Sequence, residues 1–176
     1  MLSLQIISKS INKSNFIIVC QRAQLVLKLV LMGNLSEHFN SRDFVCRCGE
    51  CRNDVRVHLG LVGALEMIGA NFRRTPKIVS AFRCEYYNDK HNIGKKNSHT
   101  QGKAVHIYVD GAKLNELYNF AKTIPEIRGL GFYPDENIIH IDTRALDKGA
   151  EKDEWYKENG KLHPMTAEAK TKYGLL

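Results

Sequence analysis

The sequence predicts an α+β domain in which a small antiparallel sheet is flanked by helices. Three observations carry this. The periodic segments run in the order helix, strand, loop, strand, helix, strand, strand. The strand candidates alternate β-branched with polar residues. The chain has 176 residues, which suits one domain with a single core.

The elements follow in order. Residues 35–39 read as a short extended or capped segment. Asn53 and Asp54 mark a helix start, with Asp54 where its charge favours an N-terminus. Val57, Leu61, Leu65 and Ile68 then recur at helical spacing to about Ala70. Residues 77–82 (KIVSAF) read as a strand after Pro76, and residues 85–92 as a short helix. Residues 94–102 are polar and punctuated by glycine, which predicts a loop. A strand at 104–109 and a helix at 112–123 follow, the helix placing Leu114, Leu117, Tyr118 and Ala121 on one side. Two further strands, 130–133 and 138–143, are separated by a turn at Pro134-Asp135-Glu136-Asn137.

Composition excludes several classes. Hydrophobic residues make up 43% and charged residues 26%, unlike a disordered, collagen-like or coiled-coil chain. No apolar run is long enough for a membrane span. The net charge of +7 is uneven: residues 1–32 carry Lys9, Lys13, Arg22, Lys28 and no acid, so +4 lies there and +3 on the rest. Without a basic stripe, no nucleic-acid partner is expected.

The chain divides into an N-terminal arm (1–32), a domain (33–146) and a charged tail (147–176). The arm is read as a poor export signal, a basic amphipathic arm or sequence upstream of a true start at Met32. The last is preferred, because Met32-Gly33-Asn34 leads into organised sequence. The tail is expected to be helical or irregular and solvated, with Trp155 as an anchor.

Alternation places chemistry on the strands. In 104–110, Val105, Ile107 and Val109 share one face, and His106 and Asp110 the other. In 138–143, Ile139 and Ile141 share one face, and His140 and Asp142 the other. His99 precedes the Thr100-Gln101-Gly102 turn, which can fold it back toward His106. Three imidazoles and a carboxylate converging in this way suit zinc, although the spacing is not the helical His-Glu-x-x-His pattern.

Asn97-Ser98-His99-Thr100-Gln101-Gly102-Lys103-Ala104-Val105-His106 resembles the Ser-x-His-x-x-Gly-x-Ala-x-Asp motif of the zinc D-alanyl-D-alanine carboxypeptidases. This family includes phage endolysin peptidases and shares its fold with the Hedgehog signalling domain. Residues 78–84 (IVSAFRC) are similar to its Ser-Gly-Tyr-Arg-Cys strand. Gly129-Leu130-Gly131-Phe132-Tyr133-Pro134 with Ile139-His140-Ile141-Asp142 is similar to its ending, and residues 44–51 to its Cys-rich opening. The resemblance spans about 35–144.

The resemblance implies a Hedgehog/D,D-peptidase-like fold and a zinc metallopeptidase. Such an enzyme hydrolyses D-Ala-containing peptidoglycan stem peptides, as a D,D-carboxypeptidase or an endopeptidase, at the cell envelope. By position, His99, His106 and Asp142 are the zinc ligands, His140 is the general base, and Arg83 holds the substrate. A competing assignment makes His140 the third ligand and Glu136 or Asp142 the base. Two departures stand out: His106 replaces the family's Asp, and Asn97 replaces its first Ser. The alternative is therefore a catalytically inactive zinc-binding, binding or signalling module on the same fold. Cys46, Cys48, Cys51 and Cys84 admit a second, structural zinc site, disulfides or reduced buried thiols. His38, His58, His91 and His163 read as surface or partial-core histidines.

Overall fold

A computed structural model describes residues 33–52, 54–94, 96–147 and 149–176. The reading of the N-terminal arm lies outside the described residues. Residues Gly33–Leu176 form one compact unit. Its elements are α1 (Leu59–Phe72), β1 (Lys77–Ser80), α2 (Glu85–Lys90), β2 (Ala104–Tyr108), α3 (Leu114–Thr123), β3 (Gly129–Tyr133), β4 (Ile138–Asp142), β5 (Asp153–Glu158), β6 (Lys161–Pro164) and α4 (Ala167–Tyr173). Short 3-10 turns cover Ser41–Phe44 and Pro134–Glu136. The fold is α+β, as expected, around one sheet of six strands in the order β1-β2-β4-β3-β5-β6. Every neighbouring pair is antiparallel except β3 and β5.

Alternation sorts the two faces of the sheet. Val105 and Ile107 of β2, Ile139 and Ile141 of β4, and Leu130 and Phe132 of β3 enter one core. They pack there with Leu61, Leu65 and Ile68 of α1 and Leu117, Tyr118 and Ala121 of α3. Burying these side chains removes apolar area from water and is the main stabilising term. The opposite face carries His106, His140 and Asp142. The helices thus cover one side and leave the polar side to line a cleft.

Helix α1 starts at Leu59, five residues later than the sequence suggested. The preceding backbone is committed elsewhere. His58 N–H donates to the Gly102 carbonyl at 2.8 Å, and Cys46 N–H to the Asp54 carbonyl at 3.0 Å. The helix ends where Arg73 turns left-handed at φ 52° and its N–H returns to the Ala70 and Gly69 carbonyls.

The stretch expected to be a solvated tail instead supplies two strands and a helix. Strand β5 adds in parallel beside β3, with Gly131 opposite Trp155 and Phe132 opposite Tyr156. Its alternation was masked by charge. Asp153, Trp155 and Lys157 face one way, while Glu154 and Tyr156 face the other. Glu154 accepts from the Tyr118 hydroxyl at 2.6 Å and pairs with Lys122 at 3.2 Å and Lys170 at 3.6 Å. Burial alone would raise the Glu154 carboxyl, but these donors hold it below its usual range. Strand β5 is thereby tied to α3 and α4. Removing the hydroxyl with Tyr118→Phe should lower stability by about 1–2 kcal/mol without changing secondary structure. Urea denaturation followed by circular dichroism checks this, and an unaltered midpoint would remove Glu154 as an anchor.

Candidate metal centre

The loop that carries His99 is shaped by Asn97. Its side-chain oxygen accepts from His99 N–H at 3.0 Å and Thr100 N–H at 3.1 Å, while its own N–H donates to Thr100 Oγ1 at 3.0 Å. Asn97 thus receives two backbone N–H groups in a tight turn, a role open to short polar side chains such as Ser as well. Gly102 closes the turn at φ +69°, and a Cβ there would lie 2.5 Å from the Arg56 carbonyl group. The turn delivers His99 to the polar face of the sheet. Its Nδ1–H donates to the Ala81 carbonyl at 2.6 Å. That bond fixes the tautomer and leaves the Nε2 lone pair free. Nε2 is buried and has no hydrogen-bond partner.

Strand register brings in the other two imidazoles. His106 lies directly opposite His140 across β2 and β4, with His106 Nε2 and His140 Nδ1 3.1 Å apart. The three rings form a near-equilateral set. Their centroids lie 4.9 Å apart for His99–His106, and 5.1 Å apart for both His99–His140 and His106–His140, at steep mutual angles. One ring nitrogen from each lies within 4.8 Å of the others. Burial pushes all three imidazoles below their ordinary pKa, His99 and His106 strongly. At neutral pH each is uncharged and able to offer a lone pair.

Asp142, expected as the third ligand, is not among these three. Its carboxylate is fully buried and accepts from His140 Nε2 at 2.9 Å. Arg144 Nε donates to Oδ1 at 2.8 Å, Nη2 to Oδ2 at 2.5 Å, and the Arg144 backbone N–H to Oδ1 at 3.0 Å. Burial would raise this carboxyl, but His140 and Arg144 hold it well below the usual range. The geometry therefore favours the competing assignment: His140 turns Nδ1 toward the cleft, and Asp142 holds the ring from behind. A carboxylate behind a histidine is the usual support of a metal ligand. The donor set fits a divalent cation, because one ring nitrogen from each of three neutral imidazoles lies within 4.8 Å of the others, and one of them, His99 Nε2, is buried without a hydrogen-bond partner. Two nitrogens about 2.0–2.1 Å from a tetrahedral zinc sit roughly 3.4 Å apart, close to the 3.1 Å seen between His106 and His140.

The cleft over this centre has a volume of about 1140 Å³. Arg83 lines it, as expected from sequence, and its Nε donates to Ser80 Oγ at 3.0 Å. Glu136 and His91 line it too. The sequence reads His91 as a surface or partial-core residue, with the cleft as its alternative place; its ring packs on Tyr87 with centroids 4.4 Å apart. Glu136 is paired with Lys157 at 2.6 Å.

Tyr133 and Arg144 also line the cleft, and Trp155 packs against both. Trp155 lies 5.0 Å from the His140 ring and donates from Nε1 to the Tyr133 hydroxyl at 3.2 Å. Arg144 stacks over Trp155 at 5.2 Å and pairs with Asp153 at 2.5 Å. One signal for Arg144 was available: it continues the His140-x-Asp142-x alternation by one step.

Residues 47–148 match a family model described as peptidoglycan L,D-endopeptidase MepK. The chain belongs to this family. The match contains His99, His106, His140, Asp142 and Arg83, and ends before Trp155. Curated relatives of the same description occur in Escherichia coli strain K12, Escherichia coli O157:H7 and Shigella flexneri. Each is 29% identical over 76 residues, covering 40% of this chain and 41% of the relative. The matched stretch thus takes in less than half the length of these relatives. No solved structure matches the chain significantly. Among the described residues, no helix is long and apolar enough to cross a membrane.

Gly131, opposite His140, is glycine for steric reasons. A Cβ there would lie 2.7 Å from Trp155 Nε1 and 2.9 Å from the Tyr133 ring. Gly131→Ala should push the indole away from His140 and cost about 1–3 kcal/mol. Emission from the chain's single tryptophan and a denaturation curve check this. An unchanged spectrum and midpoint would contradict the packing.

Proposed function

We propose that this chain is a zinc-dependent peptidase that cleaves peptide bonds in peptidoglycan stem peptides, with His99, His106 and His140 as ligands. The observation that carries the proposal is the buried, unpartnered Nε2 of His99 facing two neutral imidazoles. Three histidines with an open fourth position are a known catalytic zinc set, so His106 in place of the family's Asp is compatible with metal binding. The substrate class rests on family membership and on the relatives' description as L,D-endopeptidases. Of the two activities the motifs imply, D,D-carboxypeptidase and endopeptidase, that description supports the endopeptidase. Action on peptidoglycan places the enzyme's work at the cell envelope.

In this reading the ion supplies Lewis acidity, polarising the scissile carbonyl and acidifying water. The chain's residues do the rest. The Ala81 carbonyl and the Asp142 carboxylate fix the tautomers of His99 and His140, so that their lone pairs face the cleft. Arg83 offers its guanidinium to the carbonyl or a substrate carboxylate, where negative charge grows. With His140 engaged as a ligand and Asp142 saturated by His140 and Arg144, proton transfer falls to another group. Among the described residues lining the cleft, Glu136 is the only carboxylate. It takes the proton of the attacking water and returns it to the leaving amine. Tyr133 gives the substrate an apolar wall on one side of the cleft.

Digestion of purified muropeptides by the full chain tests the proposal. Cleavage should stop on chelation and return with zinc. His99→Ala should lose both the bound zinc of this site and hydrolysis. Full cleavage in excess chelator, or by His99→Ala, would overturn the reading, and zinc retained without any hydrolysis would favour the non-catalytic module. Asp142→Asn should weaken zinc binding about 10–100-fold, measured by competition with a chromogenic chelator. Unchanged affinity would remove Asp142 as the support of His140.

A further inference from the structure

A second cluster lies outside the cleft's chemistry. Cys46, Cys48, Cys51 and Cys84 each place a sulfur within 4.8 Å of the other three. All four are free thiols, Cys46 buried and the others half-buried. We propose that they hold a structural zinc ion as a tetrathiolate, independent of the three-histidine centre.

The arrangement of sulfurs favours an ion over disulfides. Cys48 Sγ and Cys84 Sγ are 3.6 Å apart. Ligands about 2.3 Å from a tetrahedral zinc are roughly 3.8 Å apart. A disulfide selects one partner for each sulfur and has no need of the other two. Here four sulfurs from two parts of the chain, residues 46–51 and Cys84, converge within 4.8 Å of one another.

The backbone around the cluster treats these sulfurs as acceptors. Glu50 N–H and Cys51 N–H both point at Cys48 Sγ at 3.3 Å. Cys84 N–H points at Cys46 Sγ, and Tyr87 N–H at Cys84 Sγ, also at 3.3 Å. Four amide donors aimed at three sulfurs stabilise anionic sulfur, as the outer shell of a metal site does. Cys48 and Cys51 form a Cys-x-x-Cys turn in which the amides two and three residues on return to the first sulfur. Arg52 leaves the turn left-handed at φ 53°. Binding would replace four S–H protons with one Zn²⁺ and release those protons to solvent.

The position gives the ion a role. Among the described residues no sheet strand lies between Gly33 and α1, and this segment meets the end of β1 through the Phe82 N–H to Phe44 carbonyl bond at 3.2 Å and the Cys84 N–H to Cys46 Sγ contact at 3.3 Å. Cys84 directly follows Arg83 and caps α2 through its sulfur. An ion here would staple the N-terminal segment to the loop that presents Arg83 to the cleft.

The test uses the full chain purified without reductant. Metal analysis should give two zinc per wild-type chain and one in His99→Ala. Cobalt substitution of His99→Ala should produce the strong near-ultraviolet thiolate-to-cobalt charge-transfer band, which nitrogen ligands do not give. Cys51→Ser should remove that band and one equivalent of zinc. After chelation and denaturation, all five cysteines should react as thiols. No charge-transfer band in His99→Ala, or the four cysteines recovered as disulfides, would overturn the proposal. Absence of metal at the histidines alone would leave one zinc with the band intact, so failure of the peptidase reading is distinguishable.

Discussion

The pairing of β2 with β4 is the constraint on which the rest depends. It sets His106 opposite His140 and Ala104 opposite Asp142. A slip of β4 by one residue would turn His140 into the core and expose Ile139 and Ile141. The same β-branched residues that fill the core therefore fix the site. Burial of Val105, Ile107, Ile139 and Ile141 is the energetic reason the polar row faces outward. The centre needs no strained backbone, because the sheet's ordinary pleat brings two of its three rings together.

Charge is then organised in layers behind the imidazoles. His140 leans on Asp142, Asp142 on Arg144, and Arg144 on Asp153 and the Trp155 face. A buried carboxylate is costly unless its acceptor sites are filled. Here one imidazole and one guanidinium fill them. Asp142, expected from sequence as the third ligand, is thus occupied by His140 and Arg144.

Much of this was legible in the chain itself, and the losses have physical causes. Alternation placed His106 and His140 on polar strand faces, and the Thr100-Gln101-Gly102 turn announced the bend that folds His99 back toward them. Alternation could not say which of His140 and Asp142 turns toward the cleft, because the choice depends on a partner, Arg144, that captures the carboxylate. The start of α1 was misjudged because the Gly102 carbonyl, far along the chain, takes the His58 amide. Trp155 was mistaken for part of a tail because β5 pairs in parallel with β3, a contact with no local signal. The charges on both its faces hid the period of two.

The glycines of β3 have a consequence for where this protein can be divided. With hydrogen where Gly129 and Gly131 would carry side chains, β3 leaves room for Asp142 and the Trp155 indole. Lys157, Gly160 and Leu162, all after residue 148, line one part of the cleft. A fragment ending at 148 would lack β5 and leave β3 as an unpaired edge, with open amides and carbonyls. Such an edge invites strands from other molecules. The last 28 residues thus cover an edge of the sheet as well as part of the cleft.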